Sequence, residues 1–186
     1  IVRWESENPG MRVLGKLGFE NAYGLAVTRE TASAKGLNSI ADLARIAPQM
    51  TVGGDPEFFE RPEWIAVRDT YGLRFGEKRT FSPTFMYNAL RSGEADVIGA
   101  YTSDGRIEAD KLAVLTDPEG AFPNYDAVLV LSPDAAQNKA LVSSLQPLVG
   151  AIDVSAMRAA NYSVDRETNK LSFDEAARLL AERAGL

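Results

Sequence analysis

The sequence predicts an α/β fold with a mostly parallel sheet. Short apolar runs, typical of buried strands, alternate with amphipathic segments, typical of helices, over about the first hundred residues. The helical segments carry serine or proline at their starts and glycine or proline at their ends, where such residues are favoured. Composition agrees with a folded domain, because 45% of the residues are hydrophobic and 25% are charged. Such alternation is typical of parallel sheets, since each parallel strand needs a crossover connection to reach the next.

The first predicted strand and helix lie in the first quarter of the chain. Residues 23–28 (YGLAVT) form an apolar run of strand length. Residues 36–48 follow as a helix, with Ser39 as N-cap and Asp42 three positions later as an acidic variant of the capping box. Pro48 is expected to end this helix.

The next elements repeat the same signals. Residues 50–54 (MTVGG) are predicted to be a strand that runs into a glycine turn. Residues 61–73 are predicted to be a helix with Pro62 in its first turn and Gly72 at its C-terminal cap. A further helix with serine, proline and glycine in equivalent places is predicted at 82–94.

The rest of the chain is predicted to hold three more strands and a helical tail. The strands are expected at 95–101, 112–117 and 126–132. From residue 134 onward three helical segments follow, and Pro147 is expected to break the first of them. No internal repeat marks the sequence.

Composition and charge exclude several classes of function. The chain has 186 residues, no cysteine, no histidine and a net charge of −6. Without these residues disulfides, thiolate chemistry, a Ser-His-Asp triad and the commonest metal ligands are impossible within the chain. The acidic balance argues against general nucleic-acid binding, which needs basic surface. We therefore predict no cofactor, no metal and no enzyme, with a carboxylate enzyme using Asp55 and Asp104 as the remaining alternative.

The chain opens with IVRWESENPG, without a methionine and without a signal peptide. We therefore expect this sequence to be processed or to be part of a longer polypeptide. No apolar run approaches the roughly 20 residues of a membrane-spanning helix.

Polar or aromatic clusters follow the predicted strands at four places, where α/β sheets bind ligands. The four segments are 19–23 (FENAY), 53–61 (GGDPEFFER), 101–105 (YTSDG) and 122–126 (FPNYD). Each segment taken alone is better explained as a structural feature, a turn or core packing, than as a binding site. The glycine pair in the second segment lacks the spacing of a phosphate-binding loop.

Taken together, these clusters supply three tyrosines and one arginine. Tyr23, Tyr101 and Tyr125 stand at strand edges, and Arg61 precedes a helix. Tyrosine faces attract cations, and an arginine at a helix N-terminus can hold a carboxylate. The set predicts a pocket for a small zwitterion with a quaternary ammonium group.

The order of the motifs resembles the substrate-binding component of osmoprotectant ABC importers, which bind glycine betaine, choline and relatives. The motifs are LGFENAYGLAV, GLNSIADL, GGDPEFFERPEW, YGLRF, MYNALRSGEADVIGAYTSDGRI and LAVLTDPEGAFPNYDAVLVLS. The resemblance extends from about residue 13 to the C-terminus.

The resemblance implies a periplasmic-binding-protein-like (type II) fold, in which two α/β lobes joined by two crossing strands clamp the ligand. Residues 1–21 would be a lead-in and the first hinge crossing, 22–108 the second lobe, and 109–186 the return strands and C-terminal helices of the first lobe. The N-terminal part of the first lobe would be absent, so we expect either that missing part or a dimer to cover the exposed surface.

The resemblance also implies ligand contacts, one residue at a time. Tyr23 is similar to a box tyrosine, Asn21 to the polar residue before it, and Arg61 to the arginine that pairs with the ligand carboxylate. Tyr101 resembles the box tyrosine that ends a D-V-I-x-A-Y strand, and Tyr125 the tyrosine of an F-P-x-Y segment. The family pattern N-N-T-Y is replaced here by Glu-Asn-Ala-Tyr at 20–23.

Thr102 and Ser103, followed by Asp104, match the polar loop that shapes the rim of the family's cleft. The expected function is capture of an osmolyte for an ABC permease outside the cytoplasm. The alternative is a ligand-sensing effector domain of a transcription regulator. An unpaired Arg61 is expected to favour a betaine over choline by roughly tenfold to a hundredfold. The alternative is that Arg61 only pairs with Glu57 or Glu60 on the surface, where ion pairs contribute little.

Overall fold

A computed structural model describes residues 8–186, which form two compact units. The central unit is Ala22–Asn124, and the terminal unit combines residues 8–21 with Tyr125–Leu186. The first seven residues of the predicted lead-in lie outside the described residues.

The strands and helices alternate through the central unit and give way to helices near the C-terminus. The strands are β1 (Arg12–Glu20), β2 (Tyr23–Thr28), β3 (Thr51–Gly54), β4 (Glu77–Thr80), β5 (Val97–Tyr101), β6 (Leu112–Val114) and β7 (Asp126–Leu131). The α-helices are α1 (Arg29–Lys35), α2 (Ile40–Ala44), α3 (Pro62–Tyr71), α4 (Pro83–Ser92), α5 (Arg106–Ala109), α6 (Pro133–Gln137), α7 (Lys139–Leu145), α8 (Val154–Asp165) and α9 (Phe173–Ala184). Short 3₁₀ turns lie at Ala47–Gln49, Phe58–Glu60 and Gln146–Leu148.

The sheet of the central unit is mixed, and in this respect the expected mostly parallel sheet was wrong. Its strand order is β4-β3-β5-β2-β6. β3 runs parallel to β4 and β5, whereas β2 runs antiparallel to β5 and β6. Helices α3 and α4 connect β3, β4 and β5, which accounts for the parallel part. The alternation in the sequence does not determine the direction of β2, which inserts between β5 and β6.

The central unit also continues beyond residue 108, where we expected the lobe to end. β6 belongs to its sheet, because Ala26 pairs with Val114 and Thr28 with Leu112. The segment after β6 is tied to the end of α3 through Tyr71. The Tyr71 hydroxyl donates a hydrogen bond to the Asp117 carboxylate and accepts one from the backbone N–H of Glu119 at 2.8 Å.

The predicted helix caps are largely confirmed. Ser39 and Asp42 form the capping box at the start of α2, and Gly72 ends α3 in the left-handed conformation. The helix expected to run to Pro48 is shorter, because α2 ends at Ala44 and Pro48 lies in a 3₁₀ turn.

The sequence patterns did not predict helix α1, strand β4 or the single turn of α5. Helix α1 lacks buried residues, so its side chains show no apolar stripe. Strand β4 (EKRT) is exposed along its whole length and charged, so it lacks the apolar alternation by which strands are recognised.

Alternate residues of the central strands face two separate apolar clusters. Leu25 and Val97 pack into the first cluster, together with Tyr23. Ala26 and Ile98 pack into the second. Because successive strand residues point to opposite faces, both faces of the sheet are covered by apolar side chains. The first face is the one that carries the tyrosine.

The terminal unit has a thinner interior. Its strands β1 and β7 pair antiparallel, with Arg12 opposite Leu131, and helices α8 and α9 pack together. Both apolar clusters defined by buried residues lie in the central unit. The described residues of the terminal unit that are buried and apolar are Leu131, Ile152, Ala156 and Ala176.

Within residues 8–186, every helix is too short or too polar to cross a membrane.

We predict that Tyr71 makes the protein sensitive to alkaline pH. Burial, and then the hydrogen bond to Asp117, raise the pKa of Tyr71 to about 12 from an ordinary value of 10. The folded state therefore holds the phenolic proton more tightly than the unfolded chain. This contribution is fully present below pH 10 and is lost as the pH rises toward 12. Tyr71→Phe should reduce that alkaline loss and cost about 1–2 kcal/mol at pH 7, because two hydrogen bonds disappear.

Urea unfolding followed by circular dichroism at several pH values measures both effects. Tyr162→Phe is the control, since it removes an exposed phenol of the terminal unit. If the free energy of unfolding falls equally steeply with rising pH in Tyr71→Phe and in the wild type, the prediction is wrong.

Candidate functional site

The site is built on a pair of tyrosines at neighbouring strand ends. Tyr23 begins β2 and Tyr101 ends β5, and they are direct partners in the antiparallel ladder. Directly opposed residues of antiparallel strands point to the same face. Their hydroxyls lie 2.8 Å apart and their ring centroids 4.7 Å apart. Sequence reasoning placed both residues at strand ends, and the structure brings them into contact.

The two rings differ in exposure. Tyr23 is buried, whereas Tyr101 is 37% exposed and presents aromatic surface to solvent. Burial, and then the hydrogen bond with Tyr101, raise the pKa of Tyr23 well above its ordinary value. Tyr23 therefore stays neutral and keeps an intact aromatic face over the whole physiological pH range.

The Phe58 ring packs against the Tyr23 ring. Its ring lies 5.4 Å from the Tyr23 ring, centroid to centroid, and packs against bare backbone at two glycines. A Cβ atom on Gly54 would come within 2.7 Å of the Phe58 ring, and one on Gly99 within 2.6 Å. Both glycines are therefore required by the close approach of an aromatic ring to the sheet.

Arg61 lies over the face of Tyr23, with its guanidinium carbon 5.1 Å from the ring centroid. It is the N-cap residue of α3, and its backbone N–H donates to Phe58 at 3.2 Å. Its Nε and Nη2 donate to the two carboxylate oxygens of Glu63 at 3.1 and 3.0 Å. Its Nη1 donates to Glu57 at 2.9 Å. These hydrogen bonds, led by those to Glu63, raise the pKa of Arg61 further above its ordinary value.

The paired state of Arg61 corrects one premise of the sequence analysis. The large preference for a betaine was expected from an unpaired guanidinium, and the alternative was a surface pair with Glu57 or Glu60, of which the Glu57 pair is present. The structure shows two internal carboxylate partners instead. The cost of leaving Arg61 unpaired with choline therefore does not arise here.

Side chains of the polar loop after β5 form hydrogen bonds within the central unit. The Thr102 hydroxyl accepts a hydrogen bond from the Ala22 N–H at 3.0 Å, and the Thr102 backbone N–H donates one to the Ala22 carbonyl at 2.9 Å. Ser103 is buried. Asp104 forms two hydrogen bonds with the Arg106 side chain at 3.0 and 2.6 Å.

The ion pair also sets the protonation state of Asp104. Burial alone would raise the pKa of this carboxyl group, but the hydrogen bonds from Arg106 outweigh it and hold the pKa below its ordinary value. The guanidinium of Arg106 in turn lies 3.9 Å from the centroid of the Tyr87 ring. Asp104 is thus engaged within the fold of the central unit.

Asn21 and Tyr125 belong to the terminal unit. The Asn21 N–H donates to the Tyr125 carbonyl at 3.0 Å, so the two residues are held together by the backbone. Tyr125 is 40% exposed. Their participation in one site with Tyr23 and Tyr101 stays a prediction.

Sequence reasoning missed two contributors to the site, Phe58 and Glu63. Phe58 follows a Gly-Gly pair and an Asp-Pro turn, and paired strand glycines beside an aromatic residue are the signal that could have found it. Glu63 occupies the first turn of a helix, where acidic residues are common on the surface. Nothing in the sequence marks it as buried. In residues 8–186 no cluster of acidic residues has the arrangement of a metal site.

The comparisons with known proteins bear on the family and the fold of this chain. Residues 4–180 match the family described as the substrate binding domain of ABC-type glycine betaine transport systems. The chain belongs to this family. The resemblance inferred from the motifs and the type II periplasmic-binding-protein-like fold are thereby confirmed.

Relatives in this family carry related names. The chain is 31% identical over 179 residues to a glycine-betaine-binding protein of Pseudomonas aeruginosa, covering 89% of this chain and 58% of the relative. It is 29% identical over 159 residues to the carnitine transport binding protein OpuCC of Listeria monocytogenes, covering 84% of this chain and 52% of that protein. The chain thus spans little more than half the length of these relatives.

A solved structure extends the comparison to three dimensions. The crystal structure of a glycine betaine/carnitine/choline ABC transporter aligns with a TM-score of 0.89 at 28% identity. The alignment covers 98% of this chain and 67% of the other. The fold of the family member and that of this chain therefore agree over nearly all of this chain.

We predict that Gly99→Ala destabilises the central unit by about 1–3 kcal/mol, because the new methyl group would overlap the Phe58 ring. Thermal or urea unfolding measures the loss. The double variant Gly99→Ala/Phe58→Leu tests the cause, since a smaller side chain at position 58 makes room for the methyl group. If the double variant loses the sum of the two single losses, the Phe58 contact is not the reason.

Proposed function

We propose that the protein is an extracytoplasmic solute-binding protein that captures a quaternary-ammonium osmolyte for an ABC importer. Glycine betaine, choline or a relative is the ligand, and the permease subunits of the importer are the partner. Capture involves no bond making, so the protein is not an enzyme. No cofactor and no nucleic acid take part.

The observation that carries this proposal is the tyrosine pair with a cation already on its face. The Arg61 guanidinium lies on Tyr23, beside the partly exposed Tyr101. This geometry supports the expectation that the aromatic faces attract cations. A trimethylammonium group is weakly hydrated, so each aromatic face it meets contributes on the order of 0.5–2 kcal/mol. Further contacts from Asn21, Thr102, Ser103 and Tyr125 are part of the proposal.

Family membership supports the same function. The family is one of substrate-binding domains of glycine betaine transport systems, and the relatives are named for glycine betaine and carnitine. Because this chain spans little more than half of those relatives, we propose that further polypeptide, or a second copy of the chain, completes the lobe that the terminal unit begins.

The two rival functions have less support. A catalytic pair of Asp55 and Asp104 is disfavoured, because Asp104 is ion-paired with Arg106 and Asp55 accepts the backbone N–H of Phe58 at 2.9 Å. For the effector domain of a transcription regulator, the family and the relatives named above offer no support.

We predict that Arg61→Ala lowers glycine betaine affinity more than choline affinity. A betaine carboxylate can take a charge-assisted hydrogen bond from the guanidinium, and the choline hydroxyl gains far less from it. The expected difference is about tenfold and comes from the charge-assisted hydrogen bond alone, because Glu57 and Glu63 keep Arg61 paired when choline binds.

Isothermal titration calorimetry of both ligands with the full-length protein, including the polypeptide that completes the lobe, measures this ratio. Arg68→Ala is the matched control, since Arg68 lies on the same helix and pairs with the neighbouring Asp69. A wild-type protein that binds neither ligand would overturn the proposed function. Equal losses for both ligands in Arg61→Ala would leave the function standing but remove Arg61 as the carboxylate partner.

A further inference from the structure

Glu63 is a buried carboxylate beside the proposed ligand site. Glu63 is 7% exposed, and acidic residues are rarely so deeply buried unless they are paired with an opposite charge. Its partner is Arg61, through two parallel hydrogen bonds of 3.1 and 3.0 Å to Nε and Nη2. Such two-pronged pairs fix the orientation of the guanidinium as well as neutralising its charge.

Glu57 contacts the same guanidinium in a different way. It accepts a single hydrogen bond from Nη1 at 2.9 Å, and its side chain is 75% exposed. A single exposed ion pair contributes little and exchanges readily with solvent or with another anion. Arg61 therefore has one carboxylate partner that is held in place and one that is exchangeable.

The remaining contacts of Arg61 restrict its position further. Its backbone is tied to the Phe58 carbonyl, and its guanidinium lies 5.1 Å from the centre of the Tyr23 ring. With Glu63 on the Nε edge, the side of the guanidinium that bears Nη1 is where an incoming carboxylate can exchange with Glu57.

We infer that Glu63 is a positioning residue that sets the selectivity of the site between zwitterionic and cationic ligands. It holds Arg61 so that a ligand carboxylate binds at Nη1 in place of Glu57 while the ammonium group meets the partly exposed ring of Tyr101. This inference rests on the proposed function and adds a residue that determines the class of ligand. Choline, which has no carboxylate, does not use this exchange.

A purely electrostatic role for Glu63 predicts the opposite result. Glu63 is a negative charge close to where the ligand carboxylate would bind, so its neutralisation alone should strengthen betaine binding. If Glu63 acts by holding Arg61 in place, its neutralisation should weaken betaine binding. The sign of the change therefore separates the two roles.

The experiment compares Glu63→Gln with Glu57→Gln in the full-length protein, using calorimetric titration of glycine betaine and of choline. Both variants remove one negative charge beside Arg61, so both should weaken choline binding slightly and to a similar extent. Glu63→Gln should weaken betaine binding about tenfold, because an amide cannot accept both hydrogen bonds. Glu57→Gln should strengthen betaine binding about two- to fivefold, because a weak competitor is removed.

Two further measurements guard against trivial outcomes. Glu63→Asp keeps the charge but shortens the side chain, so it should retain the fold while losing part of the betaine preference. In NMR spectra of the ligand-free protein, the Nε proton of Arg61 should exchange slowly with water in the wild type and in Glu57→Gln. In Glu63→Gln it should exchange fast, so that its resonance disappears.

The outcomes separate this inference from the proposed function. If the wild type binds both ligands and Glu63→Gln leaves the betaine-to-choline ratio unchanged or raised, the inference is wrong and the function stands. It is equally wrong if the two glutamine variants shift the ratio in the same direction, or if the Arg61 resonance is unprotected in the wild type. A wild type that binds neither ligand overturns the function, and the selectivity role of Glu63 with it.

Discussion

The packing of one aromatic ring on bare backbone determines the geometry of the site. Phe58 occupies the space that side chains at Gly54 and Gly99 would fill, so its ring packs closely against both β3 and β5. The same ring packs against Tyr23. Phe58 is also the first residue of the 3₁₀ turn that leads to Arg61. Because interiors are close-packed, a shift of this ring would be passed to both the tyrosine and the arginine.

The positive charge of Arg61 is neutralised by neighbouring carboxylates. One guanidinium is faced by two carboxylates, one buried and one exposed. Tyr23 remains neutral, because burial holds its pKa far above physiological pH. The local balance is therefore slightly negative, which suits a ligand whose head group is a cation and whose recognition depends on aromatic faces.

The polar loop after β5 has mainly an architectural task. Thr102 joins the end of β5 to the start of β2 through the Ala22 backbone. Asp104 is held by Arg106, whose guanidinium covers the Tyr87 ring. These contacts keep Tyr101 beside Tyr23 at the edge of the sheet. The polar loop that the resemblance places at the rim of a cleft thus also maintains the spacing of two rings.

The sequence by itself determined the elements that depend on local physics. The capping box at Ser39 and the glycine after α3 follow from backbone hydrogen bonds within a few residues, and both are present as expected. The tyrosines at strand ends and the family were likewise readable, since periodicity and motif order are properties of the chain. Only the tertiary structure decided the direction of β2 and the membership of β6, because strand pairing joins residues far apart in sequence. It alone also showed that Glu63 is buried against Arg61, since burial depends on what the rest of the fold places around a side chain.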